Sequence, residues 1–174
     1  MAPRAIFVGA PGAGKSTVGR RVAERLGIPF ADSDALIEKR AGKSVADIFI
    51  DDGEGEFRRL EREEVARALE DFDGVLSLGG GAILDPQTRS ALLDQRVVWL
   101  QVDLSHATSR VGMNSARPLL LGNVRGTMLA MLEQRTPLYA EVASDIVDTN
   151  GRGIKDVVGQ VVALLTNDES DVAR

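Results

Sequence analysis

Ala5-Ile6-Phe7-Val8-Gly9-Ala10-Pro11-Gly12-Ala13-Gly14-Lys15-Ser16-Thr17 is the stretch on which the fold turns. Ala5–Val8 is a short apolar run of strand length that stops at a glycine. From Lys15 to Leu26 the apolar residues Val18, Val22 and Leu26 recur at helical spacing, and Gly27 follows as a C-cap glycine would. Between strand and helix, Gly9–Ser16 matches G-x-x-x-x-G-K-[ST] in full. The glycines let the backbone turn with its N–H groups facing inward, and those donors, with the helix N-terminus, hold anionic phosphates. A lysine at position 15 reaches the β- and γ-phosphates, and the Ser16 hydroxyl is a Mg²⁺ ligand. The motif predicts that Gly12, Ala13, Gly14, Lys15, Ser16 and Thr17 bind ATP with Mg²⁺.

Outward from this loop, short apolar runs alternate with helical patterns. Pro29–Ala31, Val75–Leu78, Val97–Val102 and Asp145–Val147 read as further strands. Ser33 is placed to cap a helix over 34–40 and Ser44 another short one, with Asp47 at the capping-box spacing. Glu54–Leu69 is the clearest long helix, with Phe57, Leu60, Val65 and Leu69 on its core side. Residues 125–142 read as a helix interrupted near Pro137, and Ile154–Leu165 as the last helix. The alternation predicts an α/β fold of three layers, α/β/α, around a five-stranded parallel sheet with right-handed crossovers. Ligands of such sheets bind beyond the carboxyl ends of the strands. Gly9–Ser16, Asp32–Asp34 and Gly79–Gly81 all fall there.

The composition agrees. A chain of 174 residues, 44% hydrophobic and 27% charged, suits one domain over 1–165, with 166–174 as a disordered polar tail. No apolar run approaches the ~20 residues of a membrane span, and MAPRAIFVGA reads as the start of the fold and not as a leader. The absence of cysteine rules out thiolate metal sites and fits a cytoplasmic protein. A net charge of −5 argues against nucleic acid as a partner.

The chemically loaded residues cluster after strands. In Asp32-Ser33-Asp34, Asp32 comes directly off the strand and takes the metal side, while Asp34 faces the acceptor and accepts a proton from its hydroxyl. Gly79-Gly80-Gly81 weakens regular structure, so a ligand or another backbone approaches closely there. Arg117, in an unpatterned stretch, suits charge stabilisation of a transferring phosphoryl group. Arg58 and Arg135 suit a bidentate grip on an anionic acceptor. His106 and Trp99 read as non-catalytic, and the Glu61–Glu64 acids read as a solvated helix face.

Together, Gly9–Thr17, Asp32-Ser33-Asp34, Glu56-Phe57-Arg58, Gly79-Gly80-Gly81, Arg117-Pro118-Leu119-Leu120 and Arg135-x-Pro137-Leu138-Tyr139 resemble the shikimate kinase family over residues 1–165. The resemblance implies a nucleoside monophosphate kinase-like fold and ATP-dependent phosphorylation of the shikimate 3-hydroxyl, on the route to chorismate and aromatic amino acids. It implies that Asp34 meets the attacking hydroxyl, and that Arg58, Arg135 and the backbone around Gly80 hold shikimate. It also implies that Ser16, with Asp32 through water, serves Mg²⁺, and that Arg117 belongs to a mobile lid at about 112–124. Glu61 matches a position that orients Arg58, and Phe49 and Phe57 match positions beside the ring. Arg110 and Arg152 stand where the family places adenine-side arginines, although Asn150-Gly151-Arg152-Gly153 lacks the family's proline. A cytoplasmic monomer is expected. The competing readings are a gluconate or nucleotide kinase of the same fold, and a nucleotide-binding switch without acceptor chemistry. Asp34 and the paired arginines argue against the switch, because a switch needs no acceptor pocket.

Overall fold

The computed structural model describes residues 2–112 and 123–172. Strands β1 (Ala5–Val8), β2 (Phe30–Asp32), β3 (Val75–Ser77), β4 (Val97–Gln101) and β5 (Asp145–Asp148) form one parallel sheet in the order β2-β3-β1-β4-β5. Every β1 residue is buried, as are Val75–Ser77 and Val97–Leu100, because helices cover both faces. The crossover from β1 runs one way across the sheet, through α1 (Lys15–Leu26) to β2. All later crossovers run the other way. They carry α2 (Ser33–Ala41), α3 (Val45–Asp51), α4 (Gly53–Asp71), α5 (Pro86–Leu92), α6 (Leu104–Gly112) and α7 (Val124–Val142). Right-handed connection therefore puts α1 on one face and α4, α5 and α7 on the other. The last helix, α8 (Ile154–Val172), returns to pack beside α1. The direction reverses at β1, so the loop after β1 opens into the crevice where such sheets bind ligands.

Two apolar clusters support this frame. The main one joins both sheet faces to their helices and includes Ile6, Phe7, Leu76, Leu100 and Val161, all fully buried. A smaller one, Ile37, Ile48, Phe57 and Leu60, fastens α2 and α3 to α4. Phe57 is 4% exposed, and its burial contributes about 2–3 kcal/mol. Phe49 packs on it with ring centroids 4.7 Å apart.

Four local expectations need correction. First, α2 is capped by Asp32, not Ser33: the Asp32 Oδ1 accepts from the N–H of Asp34 at 2.9 Å and of Ala35 at 3.4 Å. Second, α7 passes through Pro137 as one helix. An interior proline costs about 3 kcal/mol, but Arg135 and Tyr139 on either side are both buried, and that packing holds the helix together. Third, α8 continues to Val172, so the segment from Thr166, expected as a tail, is helical; the Thr166 hydroxyl donates back to Val162 O at 2.9 Å. Fourth, Glu61 and Glu64 are buried, 3% and 5% exposed, on the same stripe of α4 as Phe57, Leu60, Val65 and Ala68, and each meets an arginine there. Glu64 pairs with Arg40 of α2 at 2.8 Å, and Glu61 with Arg58 at 2.6 Å.

Candidate active site

The loop after β1 wraps a cradle. Gly9, Gly12 and Gly14 have φ of +151°, +83° and +87°, conformations that side chains resist. A β-carbon on Gly9 would also stand 2.5 Å from the Leu100 carbonyl oxygen. Lys15 folds back over the loop, is 8% exposed, and its ammonium donates to Ala10 O at 3.1 Å. Helix α1 has no side-chain cap on its first N–H groups, so these donors face the cradle together with the positive end of the helix dipole. The Ser16 hydroxyl, in the first turn, donates to Asp32 Oδ2. Asp32 therefore has two tasks, one oxygen capping α2 and the other beside Ser16. A hydroxyl and a carboxylate oxygen side by side at the phosphate end form a hard oxygen donor set, which fits Mg²⁺ completed by phosphate and water.

The loop after β3 is the second wall. The Gly79 N–H donates to the hydroxyl of Ser33 at 2.8 Å, and Ser33 is fully buried. A β-carbon on Gly79 would lie 2.7 Å from Asp34 Oδ1 and 3.1 Å from Glu61 Oε2. One on Gly80 would lie 3.0 Å from Pro11 Cδ, so this loop touches the phosphate loop directly. One on Gly81 would collide with the Arg58 guanidinium, at 2.4 Å. Each glycine thus makes room for a different neighbour. Asp34, Glu61, Arg58 and the phosphate loop all crowd a single turn of chain.

The arginines close this second pocket. Arg58 lies over the Phe57 ring, 5.2 Å from its centroid, and donates to Glu61 Oε1 at 2.6 Å. Arg135 is 5% exposed. Burial pushes its pKa below the usual arginine range, and the Arg58 charge adds to that, while Tyr139 and Glu61 oppose it. Burial also raises the Glu61 carboxyl above the ordinary glutamate range, against the pull of Arg58, with Asp34 adding to the rise. Two guanidinium groups are held close enough to disfavour each other, one of them buried. Such an arrangement is suited to an anionic ligand.

A third region lies beyond Gly12. Arg110 of α6 donates to Gly12 O at 3.0 Å and to the Thr149 hydroxyl and carbonyl at 3.3 and 3.2 Å. Arg152 donates to Asp148 O at 2.9 Å and to Gln160 at 2.5 Å. Both line a cavity of about 430 Å³ with Ala13, Thr17, Gly153 and Val157. Without the family's proline, the turn here is made by Gly151 at φ +63°. The structure therefore gathers Lys15, Ser16, Asp32, Asp34, Arg58, Gly79–Gly81, Arg110, Arg135 and Arg152 along one edge of the sheet. Arg117 and residues 113–122 of the expected lid lie outside the described residues.

Sequence reasoning passed over Ser33 and Tyr139. Ser33 was legible only as a cap. Tyr139 was legible only as part of a motif, yet its hydroxyl donates to Gly80 O at 2.5 Å.

A phosphate cradle with its own lysine, a hydroxyl–carboxylate pair for a metal and a cationic pocket sharing a wall with that cradle define a P-loop phosphotransferase with a small anionic acceptor. Comparison with known proteins makes this specific. The model of the shikimate kinase family matches residues 11–166, and the chain belongs to that family. It is 55% identical to the shikimate kinase of Thermobifida fusca over 148 residues, 85% of this chain and 86% of that one. The solved shikimate kinase of Acinetobacter baumannii in complex with shikimate superposes with a TM-score of 0.88 at 35% identity, covering 94% of this chain and 93% of the other. A gluconokinase of Sinorhizobium meliloti, at 20% identity and TM-score 0.64 over 97% and 94%, shares the fold alone. The chain is thus an ATP-dependent kinase that moves phosphate to a hydroxyl of shikimate. Among the described residues no helix is long and apolar enough to cross a membrane.

Proposed function

We propose that the γ-phosphate of Mg²⁺-ATP is passed to the shikimate 3-hydroxyl in the crevice between the two glycine loops. The observation that carries this reading is the shared wall: Gly80 abuts Pro11 while Gly79 and Gly81 abut Asp34 and Arg58. An acceptor lying on that wall has its hydroxyl beside Asp34 and faces the phosphate loop. Arg58 and Arg135 grip its carboxylate, and that anion relieves the mutual repulsion of the two cations. Asp34 orients the hydroxyl and receives its proton; a loose transition state asks little more of a base. Lys15 and the N–H groups of Gly12–Thr17 hold the phosphates, and Arg117 neutralises charge on the phosphoryl group in flight. Bound Mg²⁺, held by Ser16 and by Asp32 through water, would neutralise the β- and γ-phosphate oxygens. Arg110, Arg152 and their cavity take the adenine end.

The same reading makes the enzyme a cytoplasmic monomer. The test is ADP release by the purified protein with ATP and Mg²⁺, with shikimate, gluconate, nucleoside monophosphates or no acceptor. Turnover is expected with shikimate alone. Equal turnover with gluconate, or none dependent on shikimate, refutes it. Replacing Mg²⁺ with a chelator should abolish turnover, and sedimentation should give one chain per particle.

A further inference from the structure

Arg135 and Tyr139 are four residues apart on α7, so they share a face of the helix. Both are buried, at 5% and 1% exposed. The Tyr139 ring is held against Trp99, with centroids 5.8 Å apart, which fixes where its hydroxyl points. That hydroxyl donates to Gly80 O at 2.5 Å, and it lies close enough to the Arg135 guanidinium one turn earlier to favour its charge. A phenol has one proton to give and lone pairs to receive, so it can give its proton to the carbonyl and turn its oxygen to the cation. The Gly80 peptide is therefore held from its carbonyl side by Tyr139, while the Gly79 N–H is held by Ser33.

We propose that Tyr139 is a positioning residue for acceptor recognition. Its hydroxyl sets the orientation of the Gly80 peptide and the aim of Arg135 at once, so that loop and arginine meet the acceptor as one unit. This rests on the reading that Arg135 and the glycine loop hold the acceptor. Ring packing needs no hydroxyl, since phenylalanine fills the same space beside Trp99. What the hydroxyl adds is the link between two elements that arrive from β3 and from α7. On the proposed reading the nucleoside end of ATP lies beyond Gly12, near Arg110 and Arg152, away from that link.

Tyr139→Phe separates these roles. The acceptor KM should rise about fivefold or more, as expected for losing a buried hydrogen bond and leaving its carbonyl unpaired, while the ATP KM stays within about twofold. Combined with Arg135→Lys, the effects should be less than multiplicative, because the two side chains act through one contact. An unchanged acceptor KM, or equal change in both KM values, overturns the proposal and leaves Tyr139 a packing residue. If Arg135→Lys itself leaves the acceptor KM unchanged, the pocket reading fails instead. Tyr139 is the chain's only tyrosine, so 3-fluorotyrosine incorporation gives a single ¹⁹F resonance. That resonance should move with added shikimate, saturating with acceptor binding, and respond little to ADP. A resonance that ignores shikimate in active enzyme overturns the proposal even if the phenylalanine variant does not fold.

Discussion

Gly79→Ala adds one methyl group to the acceptor wall, and the structure fixes where it lands. The new carbon would stand 2.7 Å from Asp34 Oδ1, about 0.7 Å short of the 3.4 Å at which ordinary contact begins, and 3.1 Å from Glu61 Oε2. Gly79 is outside the left-handed region, so alanine brings no backbone strain of its own. The collision must be relieved by side chains. Asp34 sits in the first turn of α2, its N–H held by Asp32 at 2.9 Å, next to the fully buried Ser33. The backbone there cannot retreat, so the carboxylate must rotate by most of an ångström. A reacting group misplaced by about 1 Å loses roughly a hundredfold in rate. Turnover should therefore fall about a hundredfold with shikimate saturating, while ADP affinity and the unfolding midpoint stay near wild type. Steady-state ADP release, calorimetric titration with ADP and thermal unfolding measure the three quantities. A Gly79→Ala enzyme whose kcat remains within about threefold of wild type would refute the assignment of Asp34 to the reacting hydroxyl.

Three further outcomes are expected. Asp34→Asn should remove most turnover and leave ADP binding intact; a large loss of nucleotide affinity would return Asp34 to a structural role. Glu61 has a raised folded pKa from burial, so its native form favours the proton. Its contribution to stability is full below the unfolded value and is lost as pH rises through the raised one. Glu61→Gln should gain in unfolding midpoint relative to wild type as pH rises above the ordinary glutamate range, while its acceptor KM rises as Arg58 loses the negative charge of its 2.6 Å partner; parallel melting curves would contradict this. Gly55, exposed in the first turn of α4 with open space around its Cα, should accept alanine with about 0.5–1 kcal/mol of added stability in denaturant melts and unchanged kinetics.

The phosphate half of the site was legible because it is local. Gly9–Thr17 is one continuous segment whose glycines, lysine and hydroxyl form one motif, and the flanking strand and helix announce themselves by period. Asp32 and Asp34 were nearly as clear, coming straight off β2. What stayed hidden was tertiary. Glu61 and Glu64 stand at helical spacing from Phe57, Leu60 and Ala68, on the buried stripe of α4, but acidic residues read as solvated until Arg58 and Arg40 are seen to meet them there. Pro137 signalled a break that packing by Arg135 and Tyr139 overrides. Ser33 reads as a cap until the register of β2 against β3 pairs Asp32 with Ser77 and brings Gly79 alongside.

Gly79–Gly81 shows why three glycines in a row are needed where one would make the turn. Their constraints come from three directions: carboxylates of α2 and α4 at Gly79, the phosphate loop at Gly80, and the arginine of α4 at Gly81. None of the three lies in the left-handed region, so the requirement is space and not backbone conformation. The consequence is mechanical. The acceptor wall cannot move away from the phosphate loop without losing contact at Pro11, nor toward it without compressing that contact. If the acceptor lies on this wall as proposed, the distance between its hydroxyl and the γ-phosphate is set by the protein before either ligand arrives, and for a reaction governed by positioning that is the larger part of the catalyst's task.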